Sequence, residues 1–137
     1  MLLVGHDMNQ PLDPEIDALY AAWTAAITSE NVDGIFDLLT PDYVLIRTGA
    51  PPLGREQLRP LFAAVLQTHR ITPVFEREEQ IVDGDLAFER GWDVQTVESR
   101  ADGTTRTQRS RVFLILRRAP DGRWRFARGM SQPEHLA

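Results

Sequence analysis

Residues 81–124 read IVDGDLAFER GWDVQTVESR ADGTTRTQRS RVFLILRRAP DGRW, and three Asp-Gly pairs punctuate them. Asp83-Gly84, Asp102-Gly103 and Asp121-Gly122 follow one another at intervals of 19 residues. Asp-Gly supplies the positive φ values that tight hairpin turns need. The segments around these turns are long enough for four strands, at about 71–82, 86–99, 104–118 and 123–132. Equal spacing with unmatched intervening sequence is the geometry of a meander rather than of a repeat family. Strands of this length twist and curve. Gly91, inside the second of them, predicts a bulge or bend.

Upstream of the strands the period changes. Asp13-Pro14-Glu15 reads as a helix start, with Asp13 as cap, Pro14 at the first helical position and Glu15 at the positive end of the dipole. Ile16, Leu19, Tyr20, Trp23 and Ile27 then form one apolar stripe over about four turns. A shorter helix is predicted from Val32 to Leu39, stopped by Thr40-Pro41-Asp42. Tyr43–Arg47 is β-rich and ends at the breaker Gly49-Ala50-Pro51-Pro52. A third helix starts near Gly54, with a kink or restart expected at Pro60. The order α-α-β-α-β-β-β-β predicts an α+β fold: three N-terminal helices packed in a strongly curved antiparallel sheet, a cone-shaped barrel with one open end. Residues 1–12 read as a flexible arm, 13–132 as a single domain and 133–137 as a tail.

Composition narrows the chemistry. The chain has 137 residues, 42% hydrophobic and 26% charged, enough for one core without staples. It has no cysteine, which excludes disulfides and thiolate chemistry. Its 15 basic residues are all arginine, so no Schiff base can form. The net charge of −5 opposes phosphate tracking, and no nucleic-acid partner is expected despite the cluster Arg106, Arg109, Arg111, Arg117 and Arg118. No apolar run approaches a membrane span or a signal-peptide core, so no membrane partner and a cytoplasmic location are expected. His6, His69 and His135 have no ligand spacing, and the acids Glu76, Glu78, Glu79, Asp83 and Asp85 lack a calcium-loop pattern. No nucleophile elbow surrounds any serine, and no glycine-rich phosphate loop occurs. Neither metal nor cofactor is expected.

The order of elements, Pro51-Pro52-Leu53-Gly54-Arg55-Glu56 opening the third helix, Arg90-Gly91, Leu116-Arg117-Arg118 with Ala127-Arg128, and Asp121-Gly122-Arg123-Trp124 resemble the SnoaL-like, ketosteroid-isomerase-like superfamily, and within it the SgcJ/EcaC-type group. The resemblance spans roughly residues 15–132 and implies the cystatin-like fold also named after nuclear transport factor two. It also implies a homodimer. The isomerase branch uses a helical tyrosine, an aspartate base and a strand aspartic acid. Those positions fall near Trp23, near Arg47 and around Arg109–Arg111, so the resemblance implies the fold and its pocket without the steroid-isomerase set.

Alternation nominates the pocket. Trp124, Phe126, Arg128 and Met130 share one face of the last strand, and Phe88, Arg90, Trp92 and Val94 one face of the second long strand. Turning the large apolar residues toward the helices carries Arg90 and Arg128 inward. The candidate pocket is therefore Tyr20, Trp23, Arg47, Arg90, Trp92, Arg111, Arg128 and Met130. Three fixed positive charges beside apolar walls predict a small hydrophobic or anionic organic ligand. Phe113 and Ile115 point opposite to Val112, Leu114 and Leu116, which predicts a homodimer through the outer sheet face. The alternatives are a non-catalytic dimeric association or ligand-binding module, and epoxide hydrolysis with Asp93 beside Arg90 or Arg111.

Overall fold

The computed structural model describes residues 12–134. Most of the expected arm and tail, together with His6 and His135, lie outside the described residues. Helix α1 (Pro14–Thr28) begins on the predicted cap, where Asp13 Oδ1 accepts the backbone N–H groups of Glu15 and Ile16 at 2.8 and 3.4 Å. Its stripe buries Ile16, Leu19 and Ile27, with Tyr20 and Trp23 half-buried beside them. Helix α2 (Val32–Asp37) follows, and the chain passes directly into β1 (Leu39–Arg47). The strand therefore starts before the expected Tyr43. Leu39 and Thr40 are buried, and Leu39 pairs with Phe126, so tertiary contact outweighs the local Thr-Pro-Asp stop signal.

After the short β2 (Leu53–Gly54), α3 (Arg55–Thr68) runs through Pro60 as one helix. The carbonyl that Pro60 deprives of a partner belongs to exposed Glu56, on the solvent side of the helix, where an open carbonyl costs little. Arg55 explains the Gly54-Arg55-Glu56 motif. Its Nη1 donates to the carbonyls of Phe36 and Leu39, both at 2.8 Å, and so staples α3 to the orphan end of α2.

Strands β3 (His69–Asp83), β4 (Leu86–Ser99), β5 (Thr105–Arg118) and β6 (Trp124–Pro133) form the predicted meander. Gly84, Gly103 and Gly122 adopt φ of 62°, 72° and 83°, as their Asp-Gly turns require. The sheet order is β2-β1-β6-β5-β4-β3, and β1 lies parallel to β6 while the other neighbours are antiparallel. The sheet curls around the helices without closing, so the architecture is the expected α+β cone. Phe36, Phe62, Trp23 and Phe126 interlock edge-on in the core, with ring centroids 5.4–6.0 Å apart. No helix among the described residues is long and apolar enough to cross a membrane.

Besides the register shift of β1 against β6 between Leu39 and Val44, two bulges shape the sheet. One lies in β3, where Arg77 faces Gly91 and Glu79 faces Arg90, leaving Glu78 as the extra residue. The expectation placed the irregularity in the strand of Gly91; the structure puts it in the neighbour. Gly91 is needed there because β3 comes so close that a Cβ would lie 2.1 Å from the Glu76 carbonyl oxygen. The second bulge is at Ala127 in β6, between the pairs Ile115–Arg128 and Leu116–Phe126.

Candidate functional site

Residues directly opposite one another on paired strands share a face. Tyr20 of α1 stacks on Phe75 at 4.5 Å, so Phe75 marks the concave face, and Phe75 is opposite Asp93, which is opposite Ser110. The concave face of β4 therefore carries Ala87, Glu89, Gly91, Asp93, Gln95 and Val97. The next row along it joins Arg77, Gly91, Val112, Ser131 and Arg47.

This reverses the expected facing of β4. Phe88, Arg90, Trp92 and Val94 lie on the convex face, because that face is itself apolar and large side chains do not by themselves point to the helices. Arg90 is held there by Glu79 at 2.7 Å and Glu78 at 3.0 Å. The guanidinium carbons of Arg109 and Arg111 each lie 4.3 Å from the centroid of the Trp92 ring. In β6 the bulge at Ala127 breaks strict alternation: Phe126 points to Tyr20 and Trp23, while Arg128 and Met130 emerge on the convex side. Arg128 binds the Asp42 carbonyl at 2.8 Å and lies 3.5 Å from its carboxylate. Of the eight nominated residues, Tyr20, Trp23 and Arg47 remain on the helix side, and Arg90, Trp92, Arg111, Arg128 and Met130 do not. The argument for an anionic ligand from three converging arginines falls with them. Asp93 is also separated by the sheet from Arg90 and Arg111, so the epoxide-hydrolase set is not assembled.

The residues that replace them are polar and uncharged or acidic. Asp93 Oδ2 accepts from Gln95 Nε2 at 2.8 Å, and Gln95 Oε1 accepts from Gln108 Nε2 at 3.2 Å. No cationic side chain pairs with Asp93 among the described residues. Burial pushes its carboxyl above the ordinary aspartate value, against the pull of the Gln95 amide. Tyr43, on β1, is buried, and burial raises its phenol to about 12. Arg47 is exposed at the C-terminal end of β1.

Deeper in the fold, Glu89 is fully buried. Arg77 Nε donates to its Oε1 at 2.9 Å, and Arg77 Nη1 lies 3.1 Å from Asp17 of α1. Burial pushes the Glu89 carboxyl up despite the guanidinium beside it. Tyr20 is raised well above the ordinary phenol value, first by burial and then by Glu89. The hydroxyl and the Gln80 amide polarise Glu89, yet Tyr20 Oη, Gln80 Nε2 and Glu89 Oε2 make no hydrogen bond of normal geometry among the described residues. Gln80 Oε1 accepts the Asp13 backbone N–H at 3.1 Å, so this and the Arg77–Asp17 pair clasp α1 to the sheet at two polar points.

Sequence reasoning reached Asp93 only as a partner for Arg90 or Arg111, and it nominated none of Gln95, Ser110, Tyr43 and Glu89 for the pocket. The available signal was the alternation of β5, which set Val112, Leu114 and Leu116 opposite Phe113 and Ile115 without deciding which set is inward; the structure turns Val112, Leu114 and Leu116 inward. The Asp102-Gly103 turn is not centred between the strands: Glu98 pairs with Thr105, and it is this register that brings Ser110 opposite Asp93.

An open cleft of about 910 Å³ lies between α1, α2 and the β5–β6 turn. Its arginines are largely committed to the fold. Arg55 serves carbonyls, and Arg125 grips both Asp121 oxygens at 3.0 and 2.8 Å. Among the described residues no group of His, Asp or Glu is arranged to hold a metal ion.

The family model described as the SnoaL-like domain matches residues 18–127. A conserved protein from Planctomyces limnophilus has 23% identity and a TM-score of 0.83, over 90% of this chain and 96% of that one. A ketosteroid isomerase-like protein from Erwinia carotovora atroseptica has 23% identity and a TM-score of 0.73 over the same shares. An NTF2-like protein with a cystatin-like fold from Novosphingobium aromaticivorans has 21% identity and a TM-score of 0.73, over 99% of this chain and 87% of that one. No curated protein matches. At these identities the structural likeness establishes the fold.

Proposed function

Because the chain belongs to the SnoaL-like domain family, we propose that its concave sheet face binds a small, mainly apolar organic molecule and that Asp93 exchanges a proton with it. The observation that carries this reading is Asp93 itself: a half-buried carboxyl, oriented by a neutral amide and without a cation among the described residues. Such a group is costly for the fold and suited to accepting or donating a proton near neutral pH. Trp23, Phe62 and Phe75 supply apolar surface on the helix side. Arg47, exposed at the end of β1, is the one member of the expected arginine set placed to meet an approaching anionic group.

Asp93→Asn separates function from fold. The raised pKa means that the native state binds its proton more tightly than the unfolded chain does. The native carboxylate therefore weighs against folding above its shifted pKa, and that burden is lifted as pH falls toward the ordinary value of 3.8. Asp93→Asn is expected to gain about 0.5–2 kcal/mol at neutral pH, with the gain shrinking on acidification. It is also expected to lose turnover by about 10²–10⁴ if a proton transfer is catalysed. Thermal unfolding against pH, beside a thermal-shift ligand screen of both proteins, checks this. A destabilised variant that responds to the same ligands as the parent would contradict it.

A second reading, an association module, is favoured by the convex face. Ile46, Met130 and Phe113 form an exposed apolar row across three strands. Arg109 and Arg111 share this face with Glu76 and Glu78, so it is complementary to a second copy of itself. We propose a homodimer through this surface. Sedimentation equilibrium is expected to show a dimer at micromolar concentration; a monomer would remove the proposal.

A further inference from the structure

Asp93 ends a chain of two side-chain amides that crosses from β5 to β4. Gln108 Nε2 donates to Gln95 Oε1 at 3.2 Å, and Gln95 Nε2 donates to Asp93 Oδ2 at 2.8 Å. All three side chains share the concave face, since Gln95 is directly opposite Gln108 and two residues from Asp93 on one strand. Neither glutamine side chain bonds anything else among the described residues. A carboxylate only accepts hydrogen bonds, so it fixes the sense of the whole chain. Gln95 must turn its NH₂ group to Asp93, which leaves its carbonyl to accept from Gln108. The second oxygen, Asp93 Oδ1, has no partner among the described residues and is not sealed from solvent. The two oxygens of this carboxyl are therefore unlike.

Resting on the reading of Asp93 as the proton-exchanging group, we infer that Gln95 is its positioning residue. It engages Oδ2 so that the proton is taken up and released at Oδ1, while Gln108 holds the Gln95 amide in the required sense. Oδ2 remains an acceptor in both protonation states, so Gln95 need not turn as the proton comes and goes. A flipped Gln95 would set its carbonyl against the carboxylate and its NH₂ group against that of Gln108. Among the described residues no charged group competes in tuning Asp93. Phe75 and Ser110, opposite it on β3 and β5, are uncharged, as are Pro73, Gln95 and Gln108 in the next row. In the row on the other side Arg77 is spent on Glu89 and Asp17, and from α1 the Tyr20 hydroxyl lies beside Glu89. Burial raises the Asp93 carboxyl, and the Gln95 bond opposes that rise.

The test is an acid titration of the unliganded protein, with the proton itself as probe. The Asp93 carboxyl carbon is followed by ¹³C NMR, and the side-chain amides of Gln95 and Gln108 by ¹H–¹⁵N NMR. In the parent both amides are expected to titrate with the Asp93 midpoint, Gln95 by the larger amount. The bonded Gln95 proton is expected to stay downfield once Asp93 is protonated. Gln95→Leu removes the donor and is expected to raise the proton affinity of Asp93 about tenfold. Gln95→Met, which keeps an unbranched stem, should match it and so exclude a packing effect of leucine. Gln108→Leu, at an exposed position, is expected to raise the affinity about two- to threefold. An Asp93 midpoint that stays at the parent value in both Gln95 variants overturns the inference. So does a Gln95 proton that returns to the position of a hydrated amide on acidification, because the proton would then sit on Oδ2. The reading of Asp93 as the exchanging group fails separately, if Asp93→Asn responds to the ligands of the parent unchanged.

Discussion

Arg77→Met is expected to cost about 3–5 kcal/mol at neutral pH, because it strands a fully buried carboxylate. Arg77 is itself mostly buried, with its side chain 15% exposed, and it joins Glu89 on β4 to Asp17 on α1. Methionine keeps much of the packing of the aliphatic stem but supplies no positive charge. The loss should be strongly pH-dependent, and its sign follows from Glu89. Burial already places the native carboxyl above its ordinary value of 4.5, and removing the guanidinium pushes it further up. The native variant then binds a proton that the unfolded chain does not, so its stability rises as pH falls toward that ordinary value. Denaturant unfolding across this range should show the deficit narrowing on acidification. Replacing both partners, Arg77→Met with Glu89→Leu, should recover most of the loss. A single variant that loses less than about 1 kcal/mol would show that Glu89 is hydrated rather than sealed.

Gly91→Ala is the second large effect, with an expected cost of about 3 kcal/mol. The added methyl carbon meets the Glu76 carbonyl oxygen at 2.1 Å and the Arg77 Cα at 3.0 Å. Both are backbone atoms, so no side chain can rotate away. Strand β3 must move instead, and it carries the bulge that aims Arg77 at Glu89. The damage should therefore reach beyond the strand pair, loosening the clasp on α1. Hydrogen exchange is expected to rise along β3 and α1 together. A change under about 1 kcal/mol, or exchange confined to residues beside position 91, would contradict this coupling.

Both predictions rest on features that sequence reading reached unevenly. The turns, the Asp13 cap and the limits of the four long strands were legible because each depends on a few neighbouring residues, whereas the start of β1 at Leu39 was not. Each Asp-Gly pair puts its glycine at positive φ, although Asp83 ends its strand while Asp102 and Asp121 lie within their loops. The faces were harder. In β4 either face offers plausible core residues, since Phe88 and Trp92 alternate with Ala87 and Gly91, and the convex face of this sheet is apolar too. Only the packing of α1 on Phe75 decides between them. In β6 local alternation points Arg128 inward, and the bulge at Ala127 turns it out. That bulge is a property of the β5–β6 register and has no signature in its own residues. Tyr43 was read only as part of a strand, because its position against Gly129 brings together residues far apart in the chain. The candidate site moved from arginine to aspartate for these reasons, while the fold stayed as expected.

The central claim is that the concave face of the sheet takes the ligand. The most direct test is to map binding residue by residue: a fragment set screened by ¹⁵N NMR, with perturbed backbone amides plotted on the strands. The account predicts that shifts from binding fragments cluster at Asp93, Gln95, Ser110 and Gly129, and vanish or weaken in Asp93→Asn. Shifts centred instead on Asn31, Arg123 and Arg125 in the cleft beside α2, or on Trp92 and Phe113 of the convex face, would contradict it.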